Sequence, residues 1–342
     1  MRILLVAFLF VSPMLSLAVG NSTRFDENTF RLFKVLRKSN PDSNFAYSPF
    51  LLKSALNFIY ENSSGDLKSE MSPFKNPVKL PNKDENLSYS FDFIYSDRFT
   101  LKDDKIKKHD FNFQKTLMQN PLGVFKLELR SAFESRWKNK FEESLTRKKR
   151  FGNDKHGFSE VDFMNGTFGD LVCSGNASFE YVSLPFENEN YEMLFFKPRQ
   201  NYTLDDFDEK VYSEAMKDLT LPRISVCVSL PKFDISSEID CISHLKELGI
   251  YKLFEFTNDY DLFEEDNKTK IKCENFLSQT KVSISEKGAR AISFVSMEFI
   301  TLGENNEKKE PVYFTLDEPF IYIIIDKKSL EILYIGQIVK FN

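Results

Sequence analysis

The residues able to do acid–base or covalent chemistry are few and scattered. His109, His156 and His244 are the only histidines, and none stands in the H-E-x-x-H spacing that puts two zinc ligands on one helical face. No G-x-S-x-G turn offers an exposed serine nucleophile. Cys173, Cys227, Cys241 and Cys273 lack any C-x-x-C spacing, so neither a zinc ribbon nor a thioredoxin-like couple is written here. Glu264-Glu265-Asp266 lacks the alternating oxygen ligands of a calcium loop. The pattern reads as a non-enzyme, with no cofactor and no metal expected.

Two patterns carry a chemistry of recognition instead. Arg147-Lys148-Lys149-Arg150 concentrates cations in what reads as an exposed loop. Such a run can hold a sulfated glycan, be cut by a dibasic processing protease, or serve only as a solvated face. Asn-x-Ser/Thr acceptors for N-glycosylation stand at Asn21, Asn62, Asn86, Asn165, Asn176, Asn201 and Asn267. The start of the chain agrees with a secretory route, because Arg2 precedes an apolar run over 3–11 and then small residues around Ala18. Residues 1–20 are read as a signal peptide, with the mature chain beginning near Val19 or Asn21. No later stretch reaches the length of a membrane span. In an oxidising compartment the cysteines allow up to two disulfides in three connectivities, with buried free thiols as the alternative.

The elements that must position these residues are read from composition and period. With 42% hydrophobic and 28% charged residues the chain folds, and its 36 phenylalanines require an extensive core. Lys+Arg 46 against Asp+Glu 51 leaves a net charge of -5, the wrong sign for a nucleic-acid binder. Phe30, Phe33 and Leu36 make one helical face, and a second helix starts at Ser48-Pro49 with Leu52, Ala55, Leu56 and Ile59 on its buried stripe. Residues 72–90, broken by Pro73, Pro77 and Pro81, read as loop. Strands dominate from Val124 onward, over 180–186, 193–196, 224–233, 320–325 and 332–339, with short helices over 204–211, 212–219 and 239–248. Helices early and strands late make the chain α+β, one domain over 21–342.

Certain phrases carry a family resemblance. Ser48-Pro49-Phe50, Trp137, Ser183-Leu184-Pro185-Phe186, Ser229-Leu230-Pro231-Lys232-Phe233, Glu286-Lys287-Gly288, Asp317-Glu318-Pro319-Phe320 and Leu333-Tyr334-Ile335-Gly336 occur in the order found in serpins. The chain resembles that family over 24–71 and 122–342, in a divergent secreted style similar to members from insect body fluid or seminal secretions. The resemblance implies three β-sheets, surrounding helices and an exposed reactive loop over about 286–314. In that family the loop is bait for a serine protease and, once cut, inserts into the large sheet. It implies a hinge at Glu286, Gly288, Ala289, Arg290 and Ala291. Counting from Glu286 puts the scissile bond between Leu302 and Gly303, while a trypsin-like enzyme would cut after Lys308 or Lys309.

The chain also departs from the family. Residues 98–101 resemble one strand of the large sheet, yet the residues after them are too few for the family's next two helices and edge strand, so the sheet should expose an apolar face or be covered differently. The polar cluster beneath that sheet falls, by alignment, on Leu51, Leu129 and Ser278. Small Ala289, Ala291, Ser293 and Val295 alternate with Arg290, Ile292 and Phe294, so small residues would face inward and bulky ones outward. These features imply a secreted monomeric serpin-type protein whose inhibition is weakened or lost. A fully active suicide inhibitor and a non-inhibitory binding or signalling module are the alternatives.

Overall fold

Helix α1 (Glu27–Ser39) buries Phe30, Phe33 and Leu36 along one stripe, as their spacing requires. After β1 (Phe45–Tyr47), α2 (Pro49–Glu61) opens with proline in its first turn and buries Leu52, Ala55, Leu56 and Ile59. Ser48 occupies the cap position but makes no side-chain cap bond. Helix α3 (Gly65–Glu70) comes next. The computed structural model describes residues 27–108, 110–264, 269–289 and 310–341.

The middle of the chain differs from the sequence reading. The strand lies at β2 (Leu87–Ser96), not over 98–101, which is a turn ending in an isolated bridge at Leu101. A short helix α4 (Asp103–Lys108) and an edge strand β3 (Asn112–Thr116) are both present. What is short is the passage from β3 to β4 (Phe125–Phe133), where 117–124 forms a turn with no helix.

Strands then alternate with brief helices: β5 (Ser135–Arg136), β6 (Arg147–Asn153), β7 (Gly157–Gly175), β8 (Phe179–Pro185), β9 (Tyr191–Pro198) and α5 (Glu209–Asp218). Asp208 caps α5 by accepting from the Val211 N–H. After β10 (Ile224–Pro231) and β11 (Phe233–Asp240), α6 (Cys241–Glu247) is capped by Asp240. The helix starts two residues later than its apolar pattern suggests, because Ile239 belongs to β11. The chain closes through β12 (Leu277–Ser285), β13 (Gly288–Ala289), β14 (Val312–Thr315), β15 (Phe320–Asp326) and β16 (Ile332–Ile338).

These strands form three hydrogen-bonded sheets. One of nine strands runs β1-β16-β15-β9-β8-β7-β10-β14, with β6 beside β7; the others run β11-β12-β13-β5 and β3-β2-β4. Two apolar clusters fill the interior, one under α1, α2 and α5 and one centred on Trp137, Phe186, Phe195 and Phe320.

Candidate functional site

The hinge expected in an exposed loop begins inside a sheet. Strand β12 ends at Ser285, the chain turns through Glu286-Lys287, and β13 returns with Gly288 opposite Ser285 and Ala289 opposite Ile284. On its other edge β13 pairs with β5, Gly288 opposite Arg136 and Ala289 opposite Ser135. Two residues of a new central strand are thus already in place, and both are buried. Gly288 has φ +145°, and a Cβ there would lie 2.2 Å from the Ser135 carbonyl oxygen, so only glycine fits.

Long-range contacts hold this turn. Trp137 donates from Nε1 to the Ser285 carbonyl at 2.8 Å and from its backbone N–H to the Lys287 carbonyl at 3.1 Å. Its ring stacks on Phe186 with centroids 4.8 Å apart. The buried Glu286 carboxylate accepts from Thr146 Oγ1 at 2.7 Å and pairs with Lys232 Nζ at 3.0 Å. Burial opposes its ionisation, but hydrogen bonds from Thr146 and the Glu286 N–H, with the Lys232 charge, outweigh that and hold it below the usual carboxylate range.

Below this junction the sheet is open. Strand β5 continues β4 and β13 hangs from β12, yet β4 pairs only with β2 and β12 otherwise only with β11. Among the described residues no bridge joins β4 to β12. Their inner faces carry Leu127, Leu129, Ser131 and Phe133 on one side and Ser278, Thr280, Val282 and Ile284 on the other.

The outer face is polar rather than apolar. Asp92 on β2 takes Arg130 at 3.2 Å, Asn112 at 3.1 Å and Gln114 at 3.4 Å, and Glu128 pairs with Lys126 and Arg130. Across the opening Lys281 pairs with Asp234 at 3.1 Å and Gln279 bonds Glu238 at 2.7 Å. The face from which a covering helix is missing is therefore built to meet water. Leu51 and Leu129 pack against one apolar cluster, and the polar contact nearby is Ser131 to Tyr334 at 2.8 Å.

A family model described as Serpin (serine protease inhibitor) matches residues 130–341. The chain belongs to the serpin family. It is similar to mouse Serpin B5, 26% identical over 90% of this chain and 95% of that one. It is also similar to intracellular coagulation inhibitor 1 of Tachypleus tridentatus, 28% identical over 60% of this chain and 49% of that protein. Native protease nexin-1 with heparin superposes with TM-score 0.75 at 18% identity, over 92% of this chain and 98% of that one. Tengpin superposes with TM-score 0.74 at 18% identity, over 94% and 95%.

The other candidate residues of this serpin are spread over the molecule. Arg290, Ala291, Leu302 and Gly303 lie outside the described residues, as do Asn21, Asn267 and His109. The run 147–150 is not a loop but one edge of β6, paired to β7, where Lys148 faces Asp162 in a 3.5 Å ion pair and Arg150 lies over the Phe158 ring. Asn62 is buried at the end of α2 with Nδ2 on the Phe58 carbonyl. Cys173, Cys227, Cys241 and Cys273 are free thiols. His156 sits 3.4 Å from Asp42, and burial with Lys155 pushes it toward the neutral form; His244 faces the Asp240 carbonyl. Thr146, Phe141, whose backbone N–H donates to the Glu286 carbonyl at 3.2 Å, and the Asp92 network were not singled out by sequence. Period-two polarity over Lys126, Glu128 and Arg130 is the signal that marks a water-facing strand side.

Proposed function

We propose that this serpin is a secreted monomer that offers the chain between Ala289 and Val312 to a serine protease, and that it traps that protease poorly. The observation that carries the reading is the water-facing outer side of the split sheet. Continuing the β13 register into the opening would set Ala291 beside Phe133 and Val282, Ser293 beside Ser131 and Thr280, and Val295 beside Leu129 and Ser278. Those inward residues fit because they are small, but small residues bury little. Ile292 and Phe294 would face outward beside Lys281, Arg130 and Gln279, where no helix from 117–124 covers them. Each forgoes the ~1.5–3 kcal/mol that full burial of such a side chain contributes.

Trapping requires insertion to outrun hydrolysis of the acyl-enzyme. A barrier higher by ~1.4 kcal/mol slows insertion tenfold, so a weakly driven insertion yields cleaved protein and free protease. Incubation with trypsin-like, chymotrypsin-like and elastase-like enzymes, followed by a denaturing gel, tests this. Cleaved chain without a covalent adduct is expected; a stoichiometric adduct supports the fully active inhibitor instead.

A sulfated glycan is a second partner of this reading, held by Arg147, Lys148 and Arg150 on the open edge of β6. Because Asp162 offsets Lys148, retention on heparin should be weak and lost by physiological salt. Joint Lys148→Glu and Arg150→Glu substitution should abolish it, and unchanged elution would reduce the run to a solvated face. Carriage of a small molecule has less support: the cavity bounded by Leu32, Tyr47, Leu52, Leu56 and Phe74 holds about 10 Å³, room for one water.

A further inference from the structure

The acceptor asparagines differ sharply in what their amides already do. Asn62 Nδ2 donates to the Phe58 carbonyl at 2.8 Å with the residue 1% exposed. Asn165 spends Nδ2 on both the Leu145 and Phe163 carbonyls at 2.8 Å. Asn86 donates to the Glu134 carbonyl at 2.9 Å and Asn176 to Glu214 at 2.6 Å. Asn201 alone among the described acceptors is exposed and has no side-chain hydrogen bond, in a corner after β9 where φ is +71°. Asparagine adopts that left-handed conformation more readily than most residues.

We propose that Asn201 is the principal glycan acceptor of the folded molecule and that Asn62 carries none; the inference rests on the secretory route proposed above. In the transfer, Nδ2 attacks the anomeric carbon of a lipid-pyrophosphate-linked oligosaccharide. The Nδ2–C1 bond forms as the C1–O bond to pyrophosphate breaks, the amide proton passes to a base, and the lipid pyrophosphate leaves. A sugar on Asn62 would need the space that Phe58 and the core occupy, so a chain modified there cannot complete α2. At Asn86 and Asn165, where Nδ2 donates two bonds, the sugar takes the place of a hydrogen whose bond supports the fold, and occupancy there should be partial at most; Asn176, half-buried with one bond to Glu214, is intermediate.

Position makes the Asn201 glycan compatible with a bait loop. Trp137 bridges Phe186 at the end of the β8–β9 pair where Tyr191 begins β9. Asn201 lies past Pro198 at the other end, roughly 23 Å away at ~3.3 Å per residue. A sugar there leaves the hinge and the opening between β4 and β12 unobstructed.

The test expresses the full chain in a glycosylating host twice, once with its own N-terminus and once behind a proven secretory leader, and maps occupancy of the folded secreted fraction by mass spectrometry. Near-complete occupancy at Asn201, none at Asn62, and loss of one glycan's mass in Asn201→Asp are expected. Aspartate is chosen because it tolerates the left-handed backbone. Failure of the chain's own N-terminus to direct export, with the leader-driven chain modified at Asn201, would overturn only the secretory reading. Folded protein carrying sugar at Asn62, or bare at Asn201, would overturn this inference whichever leader was used.

Discussion

Gly288 carries a sharp demand at the hinge, since its φ and the 2.2 Å approach to the Ser135 carbonyl oxygen exclude every side chain. Gly288→Ala should cost about 1–3 kcal/mol and detach β13, reported as a red shift of Trp137, the sole tryptophan. An unchanged emission maximum and urea midpoint would mean that β13 is not held there. Glu286 adds a pH dependence. Its ionisation is favoured in the folded state, so its stabilisation is fully present above the unfolded value of about 4.3 and is lost as pH falls through the lower folded value. Trp137 emission should therefore hold steady from pH 7 to 5 and shift only in stronger acid, whereas Glu286→Gln should show the shifted emission already at pH 7. Burial pushes the thiols of Cys173 and Cys273 up to about 11 and that of Cys241 up to about 12. At pH 8 these three should resist iodoacetamide until urea is added, and rapid alkylation of native Cys241 would contradict its burial. The glycine and glutamate were legible because Glu286-Lys287-Gly288 is a local phrase. Thr146 was not, since it reaches Glu286 across 140 residues of chain and no local pattern marks that meeting.

Among elements, β2, β3 and β4 show how this chain does without a covering helix. Their inner faces supply Phe91, Phe93, Phe113 and Leu127 to the interior, and their outer faces meet in Asp92 and its partners. Asp92→Ala removes the acceptor shared by Arg130, Asn112 and Gln114, and should destabilise by about 1–3 kcal/mol, read as a lowered urea midpoint with unchanged slope. No change would leave the network idle and the solvated outer face unexplained. Helical spacing made α1 and α2 visible beforehand, because each buries one face, and the final hairpin showed as two continuous apolar runs because both its strands are buried throughout, whereas β11 was missed and its Ile239 was read into the following helix. The sequence reading misplaced the strand near 98–101 and left part of β2 in a loop, since three prolines before Leu87 masked where extension begins. It also read the run 147–150 as loop, because consecutive cations resemble a solvated segment. They form a strand because β7 sets Asp162 and Glu160 opposite Lys148 and Arg150.

At the scale of the molecule, the family's large sheet is divided into β11-β12-β13-β5 and β3-β2-β4, joined where β4 continues into β5. The division leaves room for one more strand, and two residues of it are already seated. Whether cleavage fills that room is a matter of drive, and on the reading proposed here the small inward residues and the water-facing outer side would leave that drive weak. Sequence showed the missing helix, through the short passage before β4, but not the polar face that replaces it, which depends on strands far apart in the chain. The most direct measurement is thermal unfolding of the intact chain and of the chain nicked between Ala289 and Val312, compared by calorimetry under identical buffer. With weak insertion the two melting temperatures should lie within a few degrees of each other. A nicked form that melts tens of degrees above the intact one would show that the loop inserts completely and would contradict the account of a weakened inhibitor.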